Sequence, residues 1–319
     1  MSDRPSLGRA WLMAARPQTL PAGAAPVIVG SAVAAVEGVF VAHVAVAALV
    51  GALLIQIGTN FANDYFDARH GVDDPDREGF TRVTAGGLIP PGQVAAAMVT
   101  SYALAIGVGL GLVAVGGLPI LIVGLSGIAA GILYTGGPYP YGYYGLGDLF
   151  VFVYFGVAAV VGTYYVQAAA SVGTRFPLVP PPESITALAV LASLPMAALA
   201  TAILAVNNVR DREEDRAAGK ITLAVRLGDR WSRLEYVALL AVGYLVPVGL
   251  AIGGWVGVIE GVTILAGLPI VTLPGAVSLS RTVRTADGER LNDALERTGQ
   301  LTVVHALTLS VGLVGPVVV

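Results

Sequence analysis

Eight stretches of this chain contain no Asp, Glu, Lys or Arg: residues 17–36, 38–63, 83–147, 149–174, 184–209, 236–259, 261–280 and 298–319, each 20 residues or longer. A helix needs about 20 residues to cross roughly 30 Å of hydrocarbon. So many long neutral runs leave one comfortable class, a polytopic all-α membrane protein, because a membrane β-barrel would show short alternating strands instead. Only 12% of the 319 residues are charged, against about 25% in soluble domains. The net charge of −3 lacks the basic footprint of a nucleic-acid partner. The absence of cysteine excludes disulfides, thiolate metal sites and a cysteine nucleophile.

The run at 83–147 is long enough for two helices, with a break at Gly116-Gly117-Leu118-Pro119. Dividing the remainder at Gly, Pro and charge predicts nine spans, near 17–36, 39–62, 93–115, 118–134, 149–170, 185–206, 236–252, 256–280 and 300–319. The chain reads as one domain, residues 1–319. Arg4, Arg9 and Arg16 read as the flank of the first span and not as the head of a cleaved leader, since the apolar run is long enough to cross. With nine spans, 17 of the 18 Lys and Arg residues share one side, and only Arg175 lies opposite. The positive-inside rule makes that side cytoplasmic, with the N-terminus inside and the C-terminus outside. The acids follow, with only Glu37, Glu183 and Glu260 of 21 opposite.

Two acidic clusters stand where spans 2 and 6 end. On a continuing helix Asn60, Asp64 and Asp67 are spaced i, i+4, i+7, and Asn207, Asp211 and Asp215 are spaced i, i+4, i+8, so each set shares a face. Each is followed by a glycine, Gly71 or Gly219, and by basic residues, Arg82 or Lys220 and Arg226. That repetition fits two related halves. Asp74, Asp76, Glu213, Glu214 and the 281–297 segment read as solvated loop. Asn60, Asp64, Asn207 and Asp211 fall at or inside the hydrocarbon boundary, where ionisable groups are expensive and line cavities. Two carboxylate pairs facing one cavity need a cation between them. Mg²⁺ suits oxygen ligands shared with a phosphate, whereas three scattered histidines, His43, His70 and His305, make zinc or iron a poor fit. Arginines and one lysine beside the acids suit a ligand with several negative charges, such as a diphosphate.

Five segments in order, each at the cytoplasmic end of an expected span, carry a resemblance. They are RPQTLP at 16–21, NDYFDARHGVD at 63–73, TRVTAGGLIPPGQV at 81–94, YTGGPYPYGYYGLGD at 134–148 and NNVRDREEDRAAGKITLAVRLG at 207–228. Together they resemble the UbiA superfamily of intramembrane prenyltransferases, and within it the menaquinone branch. The resemblance implies nine transmembrane helices around a central cavity, with two aspartate motifs that bind Mg²⁺ and a polyprenyl diphosphate. Carried over, Asn60, Asn63, Asp64, Asp67 and Asp73 belong to the first motif, and Asn207, Asp211 and Asp215 to the second. Four residues after Asp67 stands Gly71, where the family often has its third aspartate, and the next acid is Asp73. This longer spacing is common in the menaquinone branch.

The activity so implied is transfer of a polyprenyl group to 1,4-dihydroxy-2-naphthoate, with loss of CO₂ and diphosphate, giving demethylmenaquinol. The acceptors 4-hydroxybenzoate, homogentisate and geranylgeranylglyceryl phosphate are the alternatives within the family. Arg16, Arg82, Lys220 and Arg226 are candidates for the acceptor carboxylate or the diphosphate. Five of the twelve tyrosines, Tyr134, Tyr139, Tyr141, Tyr143 and Tyr144, crowd the loop after span 4. Tyr134 and Tyr141 match the family motif and are expected in the cavity, while an interfacial aromatic belt is as good a reading for the others. Asp148 is expected to act as a base or to hold a tyrosine. A cation transporter also places carboxylates beside membrane helices, but would carry polar groups through the depth of several spans. Spans 3, 7 and 9 hold little beyond Gly, Ser and Thr.

Overall fold

The structure, a computed structural model, describes residues 5–71, 82–173 and 175–315, which form helices and no strand. Seven helical segments are long and apolar enough to cross a membrane: Leu7–Val36, Ala42–His70, Pro91–Leu133, Gly147–Ser171, Ala187–Arg210, Asp229–Trp255 and Ile264–Thr285. Their outer faces carry exposed large apolar side chains such as Leu104, Leu245 and Ile252. Such faces suit lipid contact.

In detail, a short α1 (Leu7–Ala15) turns through Arg16 into α2 (Leu20–Val36). Helix α3 (Ala42–His70) outruns its expected end by two turns and stops at Gly71, which adopts the left-handed conformation. Helix α4 (Pro91–Leu133) has 43 residues, too many for one crossing, and is broken at Gly117 (φ 65°, ψ −149°) just before Pro119. The broken ladder is repaired from outside: Leu118 N–H donates to Pro177 C=O (2.9 Å), Phe176 N–H to Ala114 C=O (3.0 Å), and the Tyr165 hydroxyl to Gly116 C=O (2.8 Å). Backbone groups freed inside a bilayer need such partners.

Next come α5 (Gly147–Val151), a π-helical turn (Phe152–Ala158) and α6 (Ala159–Ser171). The π turn was not expected. It seats Gly156 against α7 (Ala187–Arg210), where a Cβ would fall 2.0 Å from that of Ala197. Helix α7 is the most enclosed, packing on α2, α6, α10 and α12 through small residues such as Ala192, Ala198 and Ala202. Beyond it lie α8 (Arg212–Ala217), α9 (Leu223–Leu227) and α10 (Asp229–Trp255), the last starting two turns before its expected bound. The expected span 256–280 is formed later, as a 3₁₀ stretch (Ile264–Thr272) continued by α11 (Leu273–Thr285). Helix α12 (Glu289–Val314) replaces most of the expected loop at 281–297. A second, smaller core unites Ala10 and Ala14 of α1, Phe61 of α3, Val83 and Ile89 of the α3–α4 connection and Val94 of α4.

Candidate active site

A cavity of about 960 Å³ opens between α2, α3, α4, α6 and α7. Its body is lined by Gly, Ala, Val, Ile and Leu, and its mouth by polar groups at helix ends: Arg16, Asn60, Asn63, Asp67, Arg82, Asn207, Asp211, Asp215 and Lys220. The acids that the sequence separates by about 150 residues therefore meet at one mouth.

Asp67 is the best-held carboxylate. It is 2% exposed, accepts from Arg82 Nη2 at 3.0 Å and from the Tyr143 hydroxyl, and lies 3.8 Å from Lys220 Nζ. Lys220 Nζ is also 3.8 Å from Asp215 Oδ1, and sits 4.7 Å from the centre of the Tyr143 ring. One ammonium thus lies between the two acidic motifs. A buried carboxylate requires such pairing.

In the second motif α7 ends at Arg210, and Asp211 is its C-cap. The i, i+4 ladder nevertheless continues, with Asp211 N–H donating to Asn207 C=O (3.0 Å) and Asp215 N–H to Asp211 C=O (2.7 Å). The expected common face of Asn207, Asp211 and Asp215 is kept. Arg210 grips both Asp211 oxygens (2.6 and 2.9 Å) and donates to Asn207 Oδ1 and to Asn292 Oδ1 of α12, each at 2.8 Å. Asn207 Nδ2 donates to Asp211 Oδ2 at 3.2 Å, and Asn63 Oδ1 accepts from Thr135 at 3.0 Å.

Three sequence candidates lie elsewhere. Asp64 is turned from the cavity into the loop after it, where its carboxylate accepts from Val83 N–H (3.1 Å), Thr84 N–H (3.1 Å) and the Thr84 hydroxyl. It anchors the segment that carries Arg82. Arg226 braces loops, donating to Tyr144 C=O at 3.0 Å and Ile221 C=O at 3.3 Å. Asp148 is buried behind the wall, with Oδ2 accepting from Asn208 at 3.4 Å. Asp73 lies outside the described residues, as do Asp74 and Asp76. Glu213 pairs with Arg212 and Arg216 in the open, as a solvated segment should, but Glu214 borders the mouth.

Tyr134 and Tyr141 both line the cavity, edge to face at 5.4 Å, and Tyr141 stacks on Phe150 at 4.1 Å, with Tyr154 beyond at 6.1 Å. Burial pushes the Tyr141 phenol up, so it remains a neutral donor, bonded to Ala130 C=O at 2.8 Å. Sequence reasoning left Tyr143 undecided and missed Arg210. The signal for Arg210 was its place between Asn207 and Asp211 on a helix end.

Among the described residues no three His, Asp or Glu side chains converge as a complete metal site. The donor set still fits a hard cation. Asp67, Asp211, Asp215, Asn63 and Asn207 line one cavity, a cationic group already lies 3.8 Å from an oxygen of both Asp67 and Asp215, and Mg²⁺ commonly takes one or two carboxylates and completes its shell with water and phosphate.

A family model described as the UbiA prenyltransferase family matches residues 24–295. The chain is 38% identical over 305 residues to the 1,4-dihydroxy-2-naphthoate octaprenyltransferase of Mycobacterium tuberculosis, covering 94% of this chain and 95% of that one. The Escherichia coli protein of the same name is 37% identical over 319 residues, covering 96% and 95%. Among solved structures, an apo UbiA homolog from Aeropyrum pernix K1 superposes with a TM-score of 0.65 at 12% identity, covering 92% of this chain and 98% of that one. A UbiA homolog from Archaeoglobus fulgidus bound to DMAPP and Mg²⁺ gives 0.60 at 15% identity, covering 96% and 99%. At those identities the structures speak for the fold.

Proposed function

The chain belongs to the UbiA prenyltransferase family, and from that premise we propose that it transfers a polyprenyl group from an allylic diphosphate to 1,4-dihydroxy-2-naphthoate, releasing diphosphate and CO₂ and giving demethylmenaquinol. The observation that carries this reading is the pair of acidic motifs around Lys220 at the mouth of an otherwise apolar cavity. The names of the bacterial relatives support the acceptor.

Asp67, Asp211 and Asp215, with Asn63 and Asn207, would hold Mg²⁺, which supplies positive charge to the departing diphosphate. Arg82 and Lys220, fixed by Asp67, add to that charge where it develops. The allylic C–O bond breaks with both electrons leaving on oxygen. Tyr134, Tyr141, Phe150 and Tyr154 present a wall that excludes water from the allylic cation and offers it π faces. The naphthoate ring attacks, and the electron pair of its C–CO₂ bond returns to the ring as CO₂ leaves. Arg16, which lines the same cavity, orients the acceptor carboxylate, while the prenyl tail lies in the apolar body and exits sideways into the bilayer.

The same reading includes nine crossings, with α4 counted as two at Gly117 and α12 added to the seven long segments. The N-terminus and the acidic mouth face the cytoplasm, as the distribution of Lys and Arg supports.

The test supplies purified protein with Mg²⁺, an allylic polyprenyl diphosphate and each acceptor in turn. Prenylated naphthalenediol with equimolar CO₂ is expected, and chelation of the metal should abolish both. Prenylation of 4-hydroxybenzoate in place of dihydroxynaphthoate, without CO₂, would overturn the acceptor assignment.

A further inference from the structure

Gln56 lies one helical turn deeper than Asn60 on α3, on the cavity wall and 6% exposed. Its hydrogen bonds fix which way its amide points. The Thr19 hydroxyl has one proton, and it goes to Arg16 C=O at 2.9 Å. The same oxygen therefore accepts from Gln56 Nε2 and Asn60 Nδ2, both at 2.9 Å. With nitrogen committed to Thr19, Gln56 must present Oε1 on its other side. That oxygen is buried and has no partner among the described residues.

A buried acceptor left unpaired is unfavourable unless a ligand or water supplies the donor. The site itself is built with some strain: Arg16, whose carbonyl anchors the chain of bonds, sits at φ 51° and ψ 69°, a conformation that non-glycine residues seldom adopt and that concentrates at functional sites. Beside Gln56 the wall is made of small residues, Gly23 and Ala52, and the cavity it borders holds about 960 Å³. There is room for a flat ring. Neither a diphosphate nor an isoprenoid tail carries a hydrogen-bond donor, whereas a hydroxylated arene does.

Resting on the naphthoate reading above, we propose that Gln56 Oε1 is a specificity determinant that accepts a hydrogen bond from a phenolic hydroxyl of the aromatic acceptor. In 1,4-dihydroxy-2-naphthoate the C1 hydroxyl is ortho to the carboxylate and bonds to it internally. The C4 hydroxyl is the one left to find a partner in the protein. Gln56 recognises that hydroxyl, and Arg16, on the same wall, takes the carboxylate.

The test sets the KM for dihydroxynaphthoate against the inhibition constant for its 4-deoxy analogue, 1-hydroxy-2-naphthoate, in the wild type and in Gln56→Met. The wild type should favour the dihydroxy compound by about tenfold. In Gln56→Met that preference should collapse towards unity, while the KM for the prenyl diphosphate and the melting temperature stay near wild type. Gln56→Asn, which withdraws the amide by one methylene, should show the same collapse if the Met variant folds poorly. An unchanged preference in a folded variant would overturn the assignment and leave water as the partner of Oε1. Failure of the wild type to prenylate dihydroxynaphthoate at all would instead overturn the acceptor reading on which it rests.

Discussion

Asp64→Asn would set an amide NH₂ against one of the two N–H groups, Val83 or Thr84, that now donate to separate oxygens of the carboxylate. Losing charge-assisted bonds at a buried site should lower stability by about 2 kcal/mol, and activity should fall because Arg82 is carried by the loop released. Asp67→Asn acts on the mouth itself. It should reduce kcat by about 10²–10³-fold and raise the Mg²⁺ concentration needed for half-maximal rate, which Asp64→Asn should leave near wild type. Melting curves and Mg²⁺ titrations of the two variants separate an anchoring acid from a cation-facing one. Arg210 adds a third case. Its pair with Asp211 is almost fully buried, at 3% and 7% side-chain exposure, so Arg210→Met should destabilise by about 3–5 kcal/mol by stranding the carboxylate. Sequence spacing placed Asp64 and Asp67 together because i, i+3 neighbours share a helix face. It could not show that the loop after α3 folds back to claim Asp64, since that contact spans 19 residues and depends on Val83 packing beside Phe61 and Ala10. The bond from Tyr143 to Asp67, 76 residues apart, was hidden for the same reason.

At the level of helices, punctuation was legible where a residue type dictates the backbone. Gly116-Gly117-Leu118-Pro119 announced the break in α4, because positive φ favours glycine and proline cannot continue a ladder, whereas the expected bound at 62 stopped short of Gly71, the glycine that does end α3. The π turn at Phe152–Ala158 and the late start of the Ile264–Thr272 stretch left no such mark. They follow from packing, as when Gly156 closes on Ala197, and an apolar run reads alike whichever helix type it adopts. Gly117 gives a test. Its φ is 65°, and a Cβ there would lie 1.9 Å from Pro177 C=O, so both conformation and space forbid a side chain. Gly117→Ala should destabilise by more than about 2 kcal/mol, whereas Gly107→Ala, in the same helix with nothing within 4 Å, should be neutral or slightly stabilising. Thermal melts in one detergent compare them directly.

Across the whole molecule, charge and depth are coupled. The connections at the end remote from the acidic mouth hold only Glu37, Arg175, Glu183 and Glu260, and the Gly117 break is stitched to Phe176 and Pro177 on that same side. Among the described residues the other charges lie towards the mouth, where Asp67, Asp215 and Lys220 meet. In the proposed reaction a polyanionic headgroup with an apolar tail enters such a body in one orientation only, with the diphosphate at the charged mouth and the chain between helices. The sense of that axis in the cell can be read by labelling, because the chain has no cysteine and a single introduced thiol reports alone. Asp287 is 85% exposed near the mouth side, between α11 and α12, and Val258 is 77% exposed in the opposite connection after α10. With the mouth cytoplasmic, a membrane-impermeant maleimide applied to intact cells should label Val258→Cys and spare Asp287→Cys until the membrane is opened. The reverse pattern would place the acidic mouth outside, away from the side on which positive charge is normally retained, and would require diphosphate to be supplied from there.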